Sequence, residues 1–378
     1  MRARYYILDA LSRRWPGGGW REGRRGRKTV VVGLTGHLGD FLVATPMLRQ
    51  LRRGLAGARI VWLVGAWNLE VARRYGWMCD EIWEWAEDAE TQGRGRREWR
   101  QGAWEQAAVG WRLRELGAEV LVTTGMESPG KRFLANATRP RVWVGRGDRR
   151  PPRVDGRVET VFFPYGRDVS EVEELLRLGE AAGAGRPREK DARPFWRVEE
   201  GEREAARAFL ERAGAGGGPL VAVSPGSGWS GKNWGGERFA EVAARLRKAG
   251  ARVAWVGTKG ESGLCPEGAA ADWKWFGRFS LAELAAVLER CDLWIGNDGG
   301  AMHLASAVGC PTLSLWGPTR EAKWAPRGER DRAMRGGEAC AGCRYWDWRA
   351  GCAKESHECM DGLGVDEVAG TALEMLGC

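Results

Sequence analysis

The residues best suited to bind an anion lie together in a turn near position 300. Leu293 to Ile295 have the apolar character of a strand, and Asp298-Gly299-Gly300 separate them from residues with the periodicity of a helix. Such a helix start presents free N–H groups and a positive dipole end, while glycine lets a ligand approach the backbone. The pattern therefore predicts a phosphate site. A turn without a ligand is the alternative.

The residues after this turn extend the prediction. Ala301 and Met302 continue the helix start, and His303 lies in its first turn. Because the chain has only three histidines, we interpret His303 as a ligand contact rather than a core residue. The next strand, 311–315, ends in Gly317-Pro318-Thr319 at what should be the same sheet edge. Two strand ends are therefore expected to converge on one pocket.

A second loop has residues that suit a diphosphate. It follows the apolar stretch that begins at Pro219, runs through small residues that include Ser227, and reaches Lys232 just before a helix. A loop rich in N–H groups with one fixed ammonium suits phosphates, although the Walker spacing GxxxxGK[ST] is absent. Glu261 follows the strand 252–256, where its carboxylate could accept hydrogen bonds from a ribose. A solvated turn is the alternative for Glu261.

One carboxylate near the N-terminus is placed for acid–base chemistry. The β-branched strand 29–35 leads into the turn 36–40, and a helix is predicted from 41 to 55 with Pro46 near its start. Asp40 would cap this helix, and it also lies at the carboxyl end of a parallel strand, where open α/β sheets carry their chemistry. The two roles are compatible.

The elements that must position these residues alternate as in βαβ units. Further strands are predicted at 58–64, 81–85, 119–124 and 141–145, and helices at 66–75, 99–117, 168–184 and 199–213. This alternation predicts a mostly parallel sheet. The charged, aperiodic residues 185–197 are interpreted as an interdomain linker. The chain is thus divided into an N-terminal extension (1–27), a first Rossmann-like domain (28–184), the linker (185–197) and a second Rossmann-like domain with a Cys-rich end (198–378).

Composition argues against several classes of protein. The 378 residues suffice for two domains, and no apolar run reaches the roughly 18 residues of a membrane span. The net charge is +9 and the basic residues are mainly arginine, which favours phosphate or carboxylate ligands. A nucleic-acid partner is not favoured, because the arginines are scattered among acidic residues and no nucleic-acid-binding motif is found.

The N-terminal residues bear on location. Residues 1–15 predict a short amphipathic helix that lies on anionic lipid, followed by a flexible basic linker at 16–27. A helix packed on the protein's own surface is the alternative. Residues 1–28 lack the apolar core and cleavage site of a secretory signal. A cytoplasmic location, with peripheral attachment to the inner face of the cytoplasmic membrane, is therefore expected.

Four of the nine cysteines cluster near the C-terminus. Cys340, Cys343, Cys352 and Cys359 have the spacing C-x2-C, x8, C-x6-C, and His357 lies beside them. In a cytosolic chain this spacing favours a metal over disulfides, and we predict a structural zinc site. Reduced packing cysteines or a labile disulfide are the alternatives.

Taken together, these motifs resemble those of glycosyltransferase family 9, the heptosyltransferases of lipopolysaccharide core assembly. The segments that carry the resemblance follow one another in the same order from about residue 28 to residue 360. They are LTGHLGDFLVATPMLRQLR, VSPGSGWSGKNWGGERFAEVAARL, VGTKGE, NDGGAMHLASAVGCPTLSLWGPT and the C-terminal CAGC…CAKESHECM.

The resemblance implies an α/β protein with the GT-B fold, in which two Rossmann-like domains face each other across a cleft. The N-terminal domain would bind the acceptor, a lipid-linked glycan, and the C-terminal domain the nucleotide sugar, ADP-heptose. Asp40 would be the general base, with Gly39, His37 and Thr35 on the acceptor side. The donor site would comprise Lys232, Ser227, Glu261 and the helix start Asp298, Gly299, Gly300, Ala301, Met302 and His303.

The implied reaction is an inverting transfer in one step that needs no divalent metal and no other cofactor. Three departures from the family pattern concern ligand contacts. His37 replaces a small polar residue and Leu34 a basic one, whereas the turn reads DGG in place of DTG or DSG and so lacks one hydroxyl. A GT-B transferase for another nucleotide sugar and glycan acceptor is one alternative. A non-catalytic nucleotide-sugar-binding protein is the other, although it would have no use for a carboxylate at Asp40.

Overall fold

The computed structural model describes residues 26–34, 36–85, 96–126, 128–147, 156–343 and 356–378, together with residues 12, 154, 352 and 354. The predicted amphipathic helix at 1–15 and most of the linker at 16–27 lie outside the described residues. Ser12 is an exception: it is buried, and its carbonyl accepts a hydrogen bond of 2.7 Å from Arg114 Nη2. This contact favours packing on the protein's own surface at that residue.

The chain divides into two compact units. The first comprises Met1–Gly166 and Val172–Ala192, and the second comprises Arg167–Glu171 and Arg193–Cys378. The later crossing falls within the predicted linker 185–197. Among the described residues, no helix is long and apolar enough to cross a membrane.

The first unit is built on six parallel strands in the order β3-β2-β1-β4-β5-β6. The strands are β1 (Thr29–Leu34), β2 (Arg59–Val64), β3 (Glu81–Glu84), β4 (Val120–Met126), β5 (Val142–Gly147) and β6 (Glu159–Pro164). The helices are α1 (Leu38–Gly54), α2 (Leu69–Arg74), α3 (Arg96–Leu116), α4 (Pro129–Thr138) and α5 (Glu171–Gly179). A buried apolar cluster fills the space between strands and helices, and it includes Val31, Leu121 and Phe133.

The second unit repeats this arrangement. Its strands are β7 (Leu220–Ser224), β8 (Arg252–Gly257), β9 (Trp273–Phe276), β10 (Leu293–Asn297), β11 (Thr312–Trp316) and β12 (Arg332–Arg335). Its helices are α6 (Glu200–Arg212), α7 (Gly236–Lys248), α8 (Leu281–Leu288), α9 (Gly300–Ala307), α10 (Glu321–Trp324), α11 (Glu358–Asp361) and α12 (Val365–Leu376). The strands are again parallel, in the order β12-β11-β10-β7-β8-β9.

Both sheets have the strand order of a doubly wound Rossmann sheet. The order reverses between β1 and β4 in the first unit and between β7 and β10 in the second. Ligands of such sheets bind outside the carboxyl ends of the strands at the point of reversal. The predicted α/β class with two Rossmann-like halves is confirmed.

The predicted start of the first helix is wrong by three residues. The helix α1 begins at Leu38 rather than at 41. The Asp40 carboxylate accepts a hydrogen bond from the backbone N–H of His37 and so stabilises the first turn. Pro46 lies in the middle of α1, not near its start. The carbonyl of Leu42, which Pro46 cannot engage, accepts a hydrogen bond of 2.7 Å from the hydroxyl of Thr45 instead.

Several elements were not predicted. They are α4, α8, α10, α11, α12, β6, β9 and β12. All three strands lie at the edges of their sheets, and β6 and β12 are at most partly buried. They therefore lack the continuous apolar pattern by which buried strands are recognised. The predicted helix 168–184 is shorter as an α-helix and ends at Gly179, after which a wider π turn covers Glu180–Ala184.

Two buried ion pairs hold the start of α5. Within the second unit, Glu171 Oε2 lies 3.0 Å from Lys323 Nζ, and within the first unit, Glu174 Oε2 lies 2.5 Å from Arg146 Nη1. All four side chains are at most 5 % exposed. Because Glu171 and Glu174 are three residues apart, the chain passes from one unit to the other within a single helix.

Candidate functional site

Four adjacent strands of the second unit lead, after their carboxyl ends, to polar residues of the predicted site. Lys232 follows β7, Glu261 follows β8, Asp298 follows β10 and Thr319 follows β11. Since these strands are neighbours in a parallel sheet, their carboxyl ends lie along one edge. The predicted convergence of two strand ends is thus part of a larger site that four strand ends form.

The centre of this site is an ion pair across the point where the strand order reverses. The ammonium of Lys232 lies 3.1 Å from Asp298 Oδ2, and the two side chains are 17 % and 10 % exposed. The same oxygen accepts a hydrogen bond of 2.8 Å from the hydroxyl of Thr319. Asp298 therefore fixes the cationic group next to the start of α9.

The start of α9 offers N–H groups for an anion. Gly299 precedes the helix with φ 178° and ψ −179°, which is extended backbone that any residue adopts. A Cβ at this position would meet no atom closer than the carbonyl oxygen of Asn297 at 3.9 Å. Neither the backbone nor the neighbouring atoms of the protein require glycine at 299, so the position has room for the hydroxyl that DTG or DSG turns carry.

His303 lies in the first turn of α9, as predicted, and is buried. Burial lowers the pKa of His303 to about 4, with Lys232 acting in the same direction and Asp298 opposing it. The imidazole is therefore neutral at pH 7. In that form one ring nitrogen donates a hydrogen bond and the other accepts one.

The loop between β7 and α7 is tied to the end of β10 by Asn297, a residue that the sequence did not single out. The amide of this buried side chain donates to the carbonyl of Pro225 at 2.7 Å and accepts from the backbone N–H of Trp234 at 3.1 Å. Within the loop, the hydroxyl of Ser227 lies 2.7 Å from Asn233 Oδ1. These contacts fix the backbone on both sides of Lys232. The sequence signal for this role of Asn297 was an asparagine next to Asp298 at the end of a strand.

Glu261 lies in a short 3-10 turn, Lys259–Leu264, after β8. Its Oε2 accepts hydrogen bonds from the backbone N–H of Thr258 at 2.6 Å and from the Thr258 hydroxyl at 2.8 Å. Its other oxygen packs against the backbone of Gly226, in the loop that leads to Lys232. Glu261 is therefore part of the same strand-end edge, and the predicted contact with a ribose stays a prediction.

In the first unit, Asp40 lies in the first turn of α1 and is partly exposed. Its Oδ2 accepts a hydrogen bond of 2.7 Å from the backbone N–H of His37. Gly36 has φ +123°, and a Cβ there would lie 2.6 Å from the Asp40 carboxyl group, so this close approach requires glycine. His37 and Gly39 flank Asp40 as predicted, whereas Thr35 lies outside the described residues.

The four clustered cysteines line a common cavity of about 190 Å³. Burial, reinforced by negative charge on the neighbouring thiols, raises the pKa of Cys359 to about 11. Within the described ranges, no group of three or more His, Cys, Asp or Glu side chains is arranged so as to hold a metal ion. The cavity is lined by Trp229, Pro318, Cys340, Cys343, Cys352, Lys354, Ser356, His357, Glu358 and Cys359.

This cavity adjoins the loop that carries Lys232. The rings of Trp229 and His357 meet edge to face, with centroids 5.6 Å apart. A Cβ on Gly231 would lie 2.5 Å from His357 Nε2, a buried nitrogen without a hydrogen-bond partner in the described part of the chain. The cysteine segment thus packs directly against the residue that precedes Lys232.

Comparison with known proteins gives the same picture of the second unit. Residues 172–353 match the model of glycosyltransferase family 9 (heptosyltransferase). The chain is 25 % identical over 166 residues to lipooligosaccharide heptosyltransferase 2 of Campylobacter jejuni, which covers 42 % of this chain and 51 % of that relative. The chain thus spans about half the length of the curated relative it matches.

Solved structures share the fold over most of the chain. A family 9 glycosyl transferase of Veillonella parvula has a TM-score of 0.68 and 19 % identity, covering 92 % of this chain and 97 % of the other. The iron-containing dodecameric glycosyltransferase TibC of enterotoxigenic E. coli has a TM-score of 0.56 and 16 % identity, covering 94 % and 81 %. TibC has also been solved in complex with ADP-D-beta-D-heptose. The predicted GT-B fold is confirmed.

Proposed function

We propose that the protein, whose residues 172–353 match the model of glycosyltransferase family 9, transfers a heptose from ADP-heptose to a glycan acceptor of the lipopolysaccharide-core type. One observation carries the proposal. Lys232 is held against Asp298 at the start of α9, so a cation and free helix N–H groups face the same place. This is an arrangement for a diphosphate. The name of the Campylobacter relative and the TibC complex with ADP-heptose support the choice of sugar and nucleotide.

In the proposed reaction, the second unit binds the donor. Lys232 and the N–H groups at the start of α9 contact the diphosphate, and the neutral imidazole of His303 donates a hydrogen bond to a phosphate oxygen. Glu261 accepts hydrogen bonds from the ribose hydroxyls, and Ser227 keeps the loop in place. These groups stabilise the negative charge that develops on the leaving diphosphate, so the proposal assigns no step to a divalent metal.

The first unit supplies the base. Asp40 removes the proton from the acceptor hydroxyl while the acceptor oxygen forms a bond to the anomeric carbon. The bond between the anomeric carbon and the diphosphate oxygen breaks, and its electron pair leaves with ADP. Attack from the face opposite the leaving group inverts the anomeric configuration. Gly36, which brings the turn against Asp40, leaves this carboxylate partly exposed.

We place the reaction in the cytoplasm, with a lipid-linked acceptor at the inner face of the membrane. The predicted amphipathic helix at 1–15 is the basis for membrane attachment, and packing on the protein's own surface, which the burial of Ser12 favours at that one residue, is the alternative. Removal of residues 2–24 should reduce sedimentation with anionic vesicles and leave ADP binding unchanged. Unchanged sedimentation would assign the segment to the protein's own surface.

We further propose that the cysteine cavity holds a structural metal ion. Four thiols and the unpartnered nitrogen of His357 are a donor set that suits zinc or iron, and TibC is described as iron-containing. The sulfurs must move closer together to coordinate an ion. Because burial raises the pKa of Cys359, metal binding would release its proton. Elemental analysis for zinc and iron tests the proposal, and less than about 0.2 ion per chain, with melting unchanged by a chelator, would refute it.

Calorimetric titration and a transfer assay test the main proposal. ADP should bind more tightly than UDP or GDP, and ADP-heptose should be consumed in the presence of a heptose-terminated core oligosaccharide. Binding of ADP without transfer to any core oligosaccharide would identify a nucleotide-sugar-binding protein. Equal affinity for the three nucleotides would remove the argument for ADP-heptose.

A further inference from the structure

Trp67 is a large apolar side chain that folding leaves exposed. Among the described side chains, three tryptophans of the first unit are prominent in this respect: Trp67 is 38 % exposed, Trp77 53 % and Trp111 39 %. An exposed aromatic ring does not contribute the stabilisation that its burial would give. Such rings are common at binding surfaces. Of the three, Trp67 lies at the carboxyl end of β2, which pairs with β1 in the sheet.

The indole of Trp67 is held in a fixed orientation. Its N–H donates a hydrogen bond of 2.5 Å to the carbonyl of Gly36, and its ring stacks on His37 with centroids 5.8 Å apart and planes 27° apart. The amide of the buried Asn68 donates to the same carbonyl at 3.0 Å. The ring edge also lies over Gly65, where a Cβ would come within 3.2 Å of it. A ring fixed in this way loses little conformational entropy on binding a ligand.

The contact with Gly36 links Trp67 to Asp40. The Asp40 carboxyl group lies so close to Gly36 that a Cβ there would come within 2.6 Å of it, and the Gly36 carbonyl accepts the indole N–H. The proposed general base and an exposed aromatic ring therefore share one turn at one edge of the sheet. Trp67 and Asp40 both follow the carboxyl ends of strands, which is where ligands of such sheets bind.

The chemistry of an indole beside a base suits a sugar ring. A pyranose presents on one face C–H groups with partial positive charge, which match the negative face of an aromatic ring, while its hydroxyls point outward at the ring edge. A sugar that stacks on Trp67 would keep its hydroxyls free for Asp40. His37 stacks against the indole and so backs it from one side.

We propose that Trp67, backed by His37, is a stacking subsite for a pyranose ring of the acceptor, next to Asp40. The subsite sets which acceptor sugar is held and how its hydroxyl is presented. This inference rests on the proposed function, because it takes Asp40 to be the base for a sugar hydroxyl. The proposal thus assigns a role in acceptor specificity to Trp67, which follows β2.

Three variants separate stacking from support of the turn. Trp67→Phe keeps an aromatic face but loses the N–H donor to Gly36, Trp67→Gln keeps an N–H donor but loses the face, and Trp67→Ala loses both. Trp111→Ala is the matched control, because Trp111 is equally exposed and its N–H is also engaged, at 2.9 Å from Glu115, on α3. The probes are a deacylated, heptose-terminated core oligosaccharide and ADP. Oligosaccharide binding is followed by saturation-transfer NMR, and the acceptor KM by ADP release.

Trp67→Ala and Trp67→Gln should weaken oligosaccharide binding and raise the acceptor KM by about five- to tenfold, as expected for loss of one aromatic contact. Trp67→Phe and Trp111→Ala should stay within about twofold of the wild type. The affinity for ADP should not change in any of them. If Trp67→Gln behaves as the wild type while Trp67→Phe is impaired, the indole only supports the turn and the subsite is refuted.

The experiment separates this inference from the proposed function. If the wild type transfers heptose and all Trp67 variants retain the wild-type KM, the subsite fails and the transferase stands. If the wild type transfers nothing but still binds the oligosaccharide in a Trp67-dependent manner, the transferase fails and the subsite stands. Absence of oligosaccharide binding by the wild type refutes the subsite.

Discussion

Asp40 and Asp298 each follow a parallel strand just before or within the start of a helix, yet the two units surround them differently. Asp40 is partly exposed and receives a backbone N–H from His37. Asp298 is buried, and a single oxygen receives both the Lys232 ammonium and the Thr319 hydroxyl. The strand–turn–helix motif thus leaves the Asp40 carboxylate partly exposed in the first unit, whereas in the second unit the Asp298 carboxylate binds the Lys232 ammonium.

The environment of each aspartate depends on the residues that follow the neighbouring strand rather than on the turn itself. In the second unit, the loop after β7 brings Lys232 to Asp298 across the point where the strand order reverses. The Asp298 carboxylate is thus already engaged by a cation next to the start of α9. The contrast agrees with the proposal that Asp40 takes the acceptor proton and that the Asp298 pair serves to bind the anion.

The largest expected effect is that of Asp40→Asn. The amide oxygen can still accept the N–H of His37, so the variant should fold, melt near the wild type and bind ADP normally. Heptose transfer should fall by roughly 100- to 10,000-fold, because an amide cannot take the acceptor proton. Steady-state transfer from ADP-heptose measures the loss.

Asp298→Asn is the paired test of the same comparison. It should weaken ADP binding, which Asp40→Asn should leave intact. Transfer by Asp40→Asn within about threefold of the wild type would show that Asp40 only caps α1 and that the contrast between the two aspartates is mistaken.

His303 should make the second unit sensitive to acid. The pKa of His303 is about 4 in the folded chain and near 6.5 when unfolded, so between these values the unfolded state binds the proton. This contribution to stability is present above about pH 6.5 and lost as the pH falls toward 4, by about 2–3 kcal/mol at pH 4.5. Urea unfolding at pH 7 and pH 4.5 should show a smaller acid loss for His303→Gln than for the wild type. An identical loss in both proteins would place the acid sensitivity elsewhere.

Lys232→Ala should weaken ADP binding by about tenfold or more, because it removes a charge-assisted contact worth roughly 1.5–3 kcal/mol. Lys232→Arg should restore only part of the affinity, since the guanidinium has a different shape and reach. Lys248→Ala, an exposed lysine at the end of α7, serves as the control in calorimetric titration. Unchanged affinity in Lys232→Ala would place the diphosphate away from the ion pair.

Thr319→Val should have the smallest effect. Asp298 loses one of its two hydrogen bonds, so it orients Lys232 less well, and ADP affinity should fall by about two- to fivefold. Thr319→Ser keeps the hydroxyl and should bind as the wild type. Equal weakening in both variants would show that the methyl group, and not the hydroxyl, supports the site.

Much of this site was predictable because it depends on local patterns. The strand–turn–helix at 293–307 and the loop before Lys232 are encoded in apolar runs, small residues and one lysine. Asn297 had only its place next to Asp298 at a strand end as a signal, and Trp67 had none, because their roles come from contacts with Pro225 and Gly36, which are distant in sequence. The start of α1 was misplaced for the opposite reason, since a local N–H contact from His37 extends the helix beyond its apolar pattern.

Because the chain passes from the second unit to the first within α5, the boundaries of a stable fragment of either unit are constrained. Expression of residues 193–378 alone would omit Glu171 and leave the fully buried Lys323 without that carboxylate. Loss of one partner of a buried ion pair typically costs about 3–5 kcal/mol, a large share of a domain's stability. An isolated second unit should therefore begin at or before residue 167, so separate fragments that contain each unit in full would both include α5.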